Sequence, residues 1–317
     1  MVPASPRHER VLAPRSPLCL MRIDAHAHFW QPACGFDNRP IADHEAYRRD
    51  FLPAHLVPHL DACRIDGVIL VQTCPQTAET DWLIELAANE PRVLGITAWV
   101  DLDAPVCDFA ALAARPKVVG IRAQLRRVTD AAFVERDNVV ANLGAALRAG
   151  LNVTVLAEAR HYAHVASMLP RLPEGPVTLN HLGLPFAAVD RATWRAAMRT
   201  FSRREDFFVQ LSGLPFLVGD GWQQAEARSL LDEALDIYGP RRLLFASDWP
   251  MMLRFATYEA WVHAVEAFVA RRGLSGEQEA AIFAGNAMRA NPRLRAGVAV
   301  AVRSTAVSPM QVPGEAR

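Results

Sequence analysis

From residue 21 onward the chain alternates two textures. Short runs of β-branched and other apolar residues are each followed by Ala-, Leu- and Arg-rich segments with helical spacing. The first texture predicts strands at Arg22–His28, Gly67–Gln72, Val93–Val100, Val118–Ala123, Asn152–Leu156, Pro176–His181, Phe207–Ser212 and Arg242–Ser247. The second predicts helices at Pro53–Cys63, Ala78–Asn89, Asp108–Ala114, Glu135–Ala149, His161–Met168, Arg191–Arg203, Gln223–Tyr238 and Thr257–Arg272. A further helix, Ser275–Ala284, opens with "SGEQ", where a serine and Gln278 stand in capping-box spacing.

Eight strand–helix units with no Gly-rich dinucleotide fingerprint match a (β/α)8 barrel, which typically takes about 250 residues. A doubly wound open sheet also alternates in this way. The polar residues decide between the two. His26, His28, Gln72, Arg122, Gln124, Glu158, His181, Ser212 and Asp248 all fall at or just beyond the C-terminal ends of predicted strands. A barrel gathers those ends at one mouth, whereas an open sheet spreads them along an edge. The expected fold is therefore α/β, a (β/α)8 TIM barrel, as one domain over residues 21–295. The Pro- and Arg-rich stretch 1–20 reads as a disordered leader, with Met21 where the folded part begins, and 296–317 as a loose tail.

Composition narrows the function. The 317 residues are 51% hydrophobic and 21% charged, and 34 basic residues balance 34 acidic ones. That balance argues against a nucleic-acid partner and for a small-molecule substrate. No apolar run approaches the roughly 20 residues of a membrane span. The five cysteines (Cys19, Cys34, Cys63, Cys74, Cys107) are scattered without a CxxC, so a reduced, cytoplasmic protein is expected. A homo-oligomer stays open.

The chemistry is concentrated in three stretches. In "DAHAHFW", His26 and His28 are two apart on a strand and so share a face, and the same count puts Asp24 beside them. An isolated pair of this kind reads either as metal or substrate ligands or as hydrogen-bonded core histidines. "TLNHLGLP" places His181 after the sixth strand, and "LLFASDWP" places Asp248 after the eighth. Each of these alone reads as structural. Together at one mouth they can activate a water, with Asp248 taking its proton and the histidines polarising a carbonyl. Loops carrying Phe29, Trp30, Phe216, Trp222, Trp249, Met251, Met252 and Phe255 offer either an apolar stacking wall or ordinary loop packing.

In "DAHAHFW", "LVQT", "VVGIRAQ", "NHLGLP", "VQLSGL", "FASDWP" and "FAGNAMR", in this order over residues 21–292, the chain resembles the amidohydrolase superfamily. The likeness is to its amidohydrolase-2 branch of sugar-lactone hydrolases and 2-pyrone-4,6-dicarboxylate lactonase. The resemblance implies a distorted barrel and a hydrolase opening a lactone. It implies Asp248 as general base, His26, His28 and His181 on the substrate carbonyl, and Arg122 holding a substrate carboxylate or hydroxyl. Gln72, Gln124, Ser212, Trp30 and Trp249 complete the expected binding set. The pattern departs from metal-dependent relatives in two places: strand four ends in Arg122 without a lysine, and strand five ends in Glu158, its first histidine being His161 beyond the strand. Two metals are therefore not expected. A single divalent ion such as Zn²⁺ on His26, His28, Asp248 and Glu158, or none, remains open. The first rival is a zinc-dependent decarboxylase of an aromatic or muconate-type acid, which would need His161 or His164 in the site. The second is a non-catalytic barrel that binds a small metabolite.

Overall fold

A computed structural model describes residues 21–36, 45–185 and 190–294. The expected leader at 1–20 and tail at 296–317 lie outside the described residues. Eight strands run in sequence order: β1 (Ile23–Ala27), β2 (Gly67–Val71), β3 (Val93–Ala98), β4 (Val118–Gln124), β5 (Asn152–Leu156), β6 (Val177–Leu179), β7 (Phe207–Leu211) and β8 (Leu243–Phe245). Each pairs in parallel with the next. The ring closes between the end of β1 and the segment after β8. There Ala27 bridges Trp249, His28 N–H donates to Trp249 O at 2.7 Å, and Asp248 N–H donates to His26 O at 2.9 Å. The fold is the expected TIM barrel.

The helices that flank and follow these strands include α1 (Pro53–Ala62), α2 (Thr77–Asn89), α3 (Phe109–Ala114), α4 (Asp137–Arg148), α5 (Tyr162–Met168), α6 (Arg191–Phe201), α7 (Leu214–Val218), α8 (Ala225–Tyr238), α9 (Tyr258–Arg271) and α10 (Gly276–Ala280). The Ser275 cap forms as expected, with Ser275 Oγ accepting from Gln278 N and Gln278 Oε1 accepting from Ser275 N. The predicted single helix after it is broken. A π-helical turn at Ala281–Gly285 separates α10 from α11 (Asn286–Ala290). The short α7 is absent from the pattern because five residues carry too little periodicity to read. Strands β6 and β8 are shorter than predicted because their polar ends leave the ladder for the mouth.

The strands are buried on both faces, which is why they read as unbroken apolar runs. Outward residues such as Val68, Ile96, Ile121, Val155, Val209 and Phe245 pack with the helices in one large core. Inward residues at the start of the strands (Ile23, Ala25, Ile69, Leu94, Val119, Phe208, Leu244) form a second cluster, which Ala287, Ala290 and Leu294 cover from below. The catalytic candidates sit above that plug, at the mouth.

Simple alternation fails at one point. Asp24 does not share the face of the histidines. The β1–β2 register shifts between Asp24 and Ala27, so Ala25 and His26 both turn inward while Asp24 turns out. Its carboxylate accepts from His26 N, Ser247 N and the Tyr258 hydroxyl on α9. Burial pushes its pKa up to about 6.

The turn after β6 is also unusual. His181, Leu182, Gly183 and Leu184 all have left-handed backbone angles, with φ of 49°, 56°, 75° and 52°. Left-handed conformation costs about 1–2 kcal/mol for each non-glycine residue. Two buried side chains brace the turn: Trp194 Nε1 on α6 donates to Leu182 O at 2.7 Å, and the Tyr162 hydroxyl on α5 donates to Gly183 O. Trp194→Phe keeps most of the packing volume but leaves the Leu182 carbonyl unpaired. It should lower stability by about 1–3 kcal/mol, seen as a lower urea midpoint at unchanged slope. An unchanged midpoint would show that the brace is not needed.

Candidate active site

The site is built on the barrel-closing bonds. His28 Nδ1 lies 2.6 Å from Val71 O at the end of β2. A carbonyl only accepts, so Nδ1 carries the proton and Nε2 presents its lone pair. His26 is fixed in the same way. Gln210 on β7 donates from Nε2 to Ala25 O, which aims its Oε1 at His26 Nδ1, 2.9 Å away. Asn180 Nδ2 donates to that same Oε1 at 2.6 Å and also stands 3.1 Å from His26 Nδ1. Oε1 can only accept and is the nearer of the two, and Asn180 Nδ2 already has Oε1 as its acceptor, so we assign the proton to His26 Nδ1 and a bare lone pair to His26 Nε2.

The two Nε2 atoms are 3.1 Å apart. Asp248 Oδ1 lies 3.4 Å from His28 Nε2 and 3.7 Å from His26 Nε2. Three electron-rich atoms thus face one another with no proton fixed between them, an arrangement that calls for a cation or a shared proton. Among the described residues these three form one metal-competent group, with ligand atoms within 4.8 Å of each other. Two imidazoles and a carboxylate suit a divalent ion such as zinc, and three protein ligands leave a coordination position open. The donor set fits such an ion.

His181 completes the ring, with Nε2 3.7 Å from Asp248 Oδ1 and Nδ1 2.8 Å from Ser212 Oγ. The serine hydroxyl can donate or accept, so of the three imidazoles His181 is the one able to present an Nε2–H. Gly213, at φ 82°, makes this fit possible, because a Cβ there would stand 2.7 Å from His181 Cβ. Asp248 itself has φ 63°, a left-handed angle that Asp tolerates better than most residues. Burial holds the His26 pKa well below the usual histidine value, helped by the neighbouring His181, His28 and Arg122. Burial likewise pushes His181 down to about 4, although Asp248 pulls it back up. Both imidazoles are neutral at neutral pH.

A cavity of about 300 Å³ opens over these groups. His28, His181 and Asp248 form its floor, and Arg122, Gln124, Arg126, Arg127, Phe216 and Met251 stand among its walls. Arg122 is buried and donates to Gln72 O. Burial, with Arg127 nearby, pushes its pKa down to about 10.

The structure brings together His26, His28, His181, Asp248, Arg122, Gln124 and Ser212. It sets the other expected residues aside. The Gln72 side chain is consumed within the loop, donating to Cys74 O and Gln76 O and accepting from Thr80 Oγ1 and Trp99 N. Trp30 is fully buried, donates to Tyr47 O and Arg49 O, and packs on Phe51. Trp249 is buried against Phe29 and Phe51. These indoles are core, and the stacking wall is reduced to Phe216 and Met251. Glu158 pairs with Arg160 at 2.8 Å and Arg126 at 3.7 Å, outside the metal-competent group. His161 accepts the Glu158 N–H on Nδ1 and His164 faces Glu135, and neither lines the cavity. Gln210 was not anticipated. The signal was present as a lone polar residue inside the apolar strand "FFVQL".

A parallel eight-stranded barrel with strand-one histidines and a strand-eight aspartate converging at its mouth has the architecture of a barrel enzyme. Comparison with known proteins agrees. The Amidohydrolase family profile matches residues 23–290. An L-fucono-1,5-lactonase of Burkholderia multivorans is 34% identical over 285 residues, covering 85% of this chain and 95% of that protein. Its counterpart from Burkholderia ambifaria is 31% identical over 273 residues, covering 84% and 93%. A crystal structure of a Burkholderia multivorans amidohydrolase with bound zinc superposes with a TM-score of 0.76 at 31% identity, covering 85% of this chain and 98% of that one. The chain belongs to the amidohydrolase family, and it is a hydrolase of lactonase type.

The neutral, buried His181 has a consequence for stability. Unfolded, its pKa is near 6.5; folded, it is about 4. Between those values only the unfolded chain takes up the proton. The stability contributed is therefore complete above pH 6.5 and is lost as pH falls towards 4. Asn tolerates the left-handed angle, so His181→Asn should remove this pH-dependent term while keeping the turn. With chelator present, the urea-stability gap between wild type and variant should move in the variant's favour from pH 7 to pH 5. A constant gap would contradict the depressed histidine.

Proposed function

We propose that the protein opens the 1,5-lactone of a small sugar acid. The observation that carries this reading is the ring of three imidazole Nε2 atoms around Asp248 Oδ1, beneath a cavity walled by Arg122. The two Burkholderia lactonases, similar over nearly their full lengths, support the same substrate class.

In this mechanism Arg122 and Gln124 orient the substrate oxygens over the histidines. Asp248 accepts a proton from water as the water oxygen bonds to the lactone carbonyl carbon. His181 Nε2–H donates to the developing oxyanion, while Ser212 holds its ring in place. Collapse breaks the bond to the ring oxygen, which takes the proton back from Asp248 and leaves as the hydroxyl of the open acid. His26 and His28 present their lone pairs to the reaction centre because Gln210 and Val71 O hold their other nitrogens. A divalent ion held by His26, His28 and Asp248 would lower the pKa of the attacking water and polarise the carbonyl.

The experiment is a pH-indicator assay with L-fucono-1,5-lactone, a muconolactone and a pyrone carboxylate, with and without chelator. Wild type should open the sugar lactone, and Asp248→Asn should lose about 10²–10⁴-fold in turnover with its fold intact. Near-wild-type turnover of the variant would remove Asp248 as the base. Carbon dioxide released from an aromatic acid, with no lactone opened, would replace the reading with a decarboxylase. Loss of activity on chelation, restored by zinc, would assign the water's activation to the ion as well as to Asp248.

A further inference from the structure

A second cavity of about 320 Å³ adjoins the catalytic one. The two share Arg122, Gln124 and Arg127 in their linings. Arg122, which both cavities reach, is buried, so the annex borders the catalytic cavity across that side chain. The remaining walls come from three adjacent barrel loops: Pro75 after β2, Trp99, Val100 and Leu102 after β3, and Val128 and Phe133 after β4. These walls are tied to the catalytic cavity through Gln72 and Arg122. Trp99 N–H donates to Gln72 Oε1 at 2.9 Å, and Gln72 O accepts from Arg122.

We propose that this annex binds an apolar substituent, alkyl or aryl, carried on the ring of the lactone. The inference rests on the lactone-hydrolase reading and extends it to the substrate's shape. Beyond the shared residues, the annex lining offers Asp101 as its one charged group; the rest is aliphatic, proline or aromatic. A second sugar ring would bring several hydroxyls that need partners, and burying them unpaired is costly. Half-buried Trp99, and Phe133 on the face that the Arg136 guanidinium does not cover, instead offer apolar ring surface. The shared Arg122, Gln124 and Arg127 stand at the junction, so the substrate would be divided between a polar head over the histidines and an apolar tail among the annex's other walls.

The test uses six-membered lactones bearing hydrogen, methyl, propyl or pentyl on the carbon next to the ring oxygen, with a disaccharide lactone alongside. In wild type, kcat/KM should rise along the alkyl series by up to about fourfold per buried methylene. Phe133→Ala and Trp99→Ala, made separately, should each flatten that rise. A flat or falling series in an enzyme that opens the unsubstituted lactone would overturn the annex and leave the lactonase reading standing. So would a slope retained in both variants, or a disaccharide lactone opened faster than the pentyl compound. Failure to open any lactone would overturn both readings together.

Discussion

Two backbone hydrogen bonds, His28 N–H to Trp249 O and Asp248 N–H to His26 O, hold this structure and its chemistry in one place. They close the barrel where β8 is too short to pair fully with β1. They also set the strand-eight carboxylate against the strand-one histidines. Asp24, turned outward by the bulge, clamps the same seam by accepting from His26 N and Ser247 N. Closure of the fold and alignment of the site are thus one event, and a shift of the seam by one residue would separate Asp248 from its partners.

Electrostatics finishes what the backbone begins. Each strand-one imidazole has its Nδ1 committed to an acceptor, one to Val71 O and the other to Gln210 Oε1. The commitments drive two lone pairs and a carboxylate into one small volume, a repulsive arrangement in isolation and a useful one beside a cation or a shared proton. Buried charges nearby are balanced. Arg122 is influenced by both Asp248 and Glu79, each of which favours its charged form. Glu79 accepts from Thr73 N, Thr73 Oγ1 and Cys74 N, and so holds the loop next to the Gln72 carbonyl that receives Arg122.

Much of this was legible in the sequence, and the failures have physical causes. Strands buried on both faces gave clear apolar runs, and polar residues at their ends marked the mouth, so His26, His28, His181, Arg122 and Asp248 could be found together. Alternation misplaced Asp24 because a β-bulge leaves no trace in periodicity. Trp30 and Trp249 were misplaced because a loop aromatic reads the same whether it faces a cavity or the core. Glu158 ends its strand like the residues gathered over the cavity floor, yet the arginines beside it, Arg160 and Arg126, capture its charge. The left-handed turn at His181–Leu184 has a single glycine to announce it; its other residues hold that shape through tertiary hydrogen bonds from Trp194 and Tyr162.

The central claim is that His26 and His28 both carry their proton on Nδ1 and turn bare Nε2 atoms towards Asp248. Long-range proton–nitrogen correlation spectra of the metal-free protein, labelled with ¹⁵N at histidine, read the tautomers directly. Nδ1–H is expected for both residues, with the His26 signal shifting to a mixture in Gln210→Leu. A protonated Nε2 on either imidazole in the wild-type protein would contradict the claim.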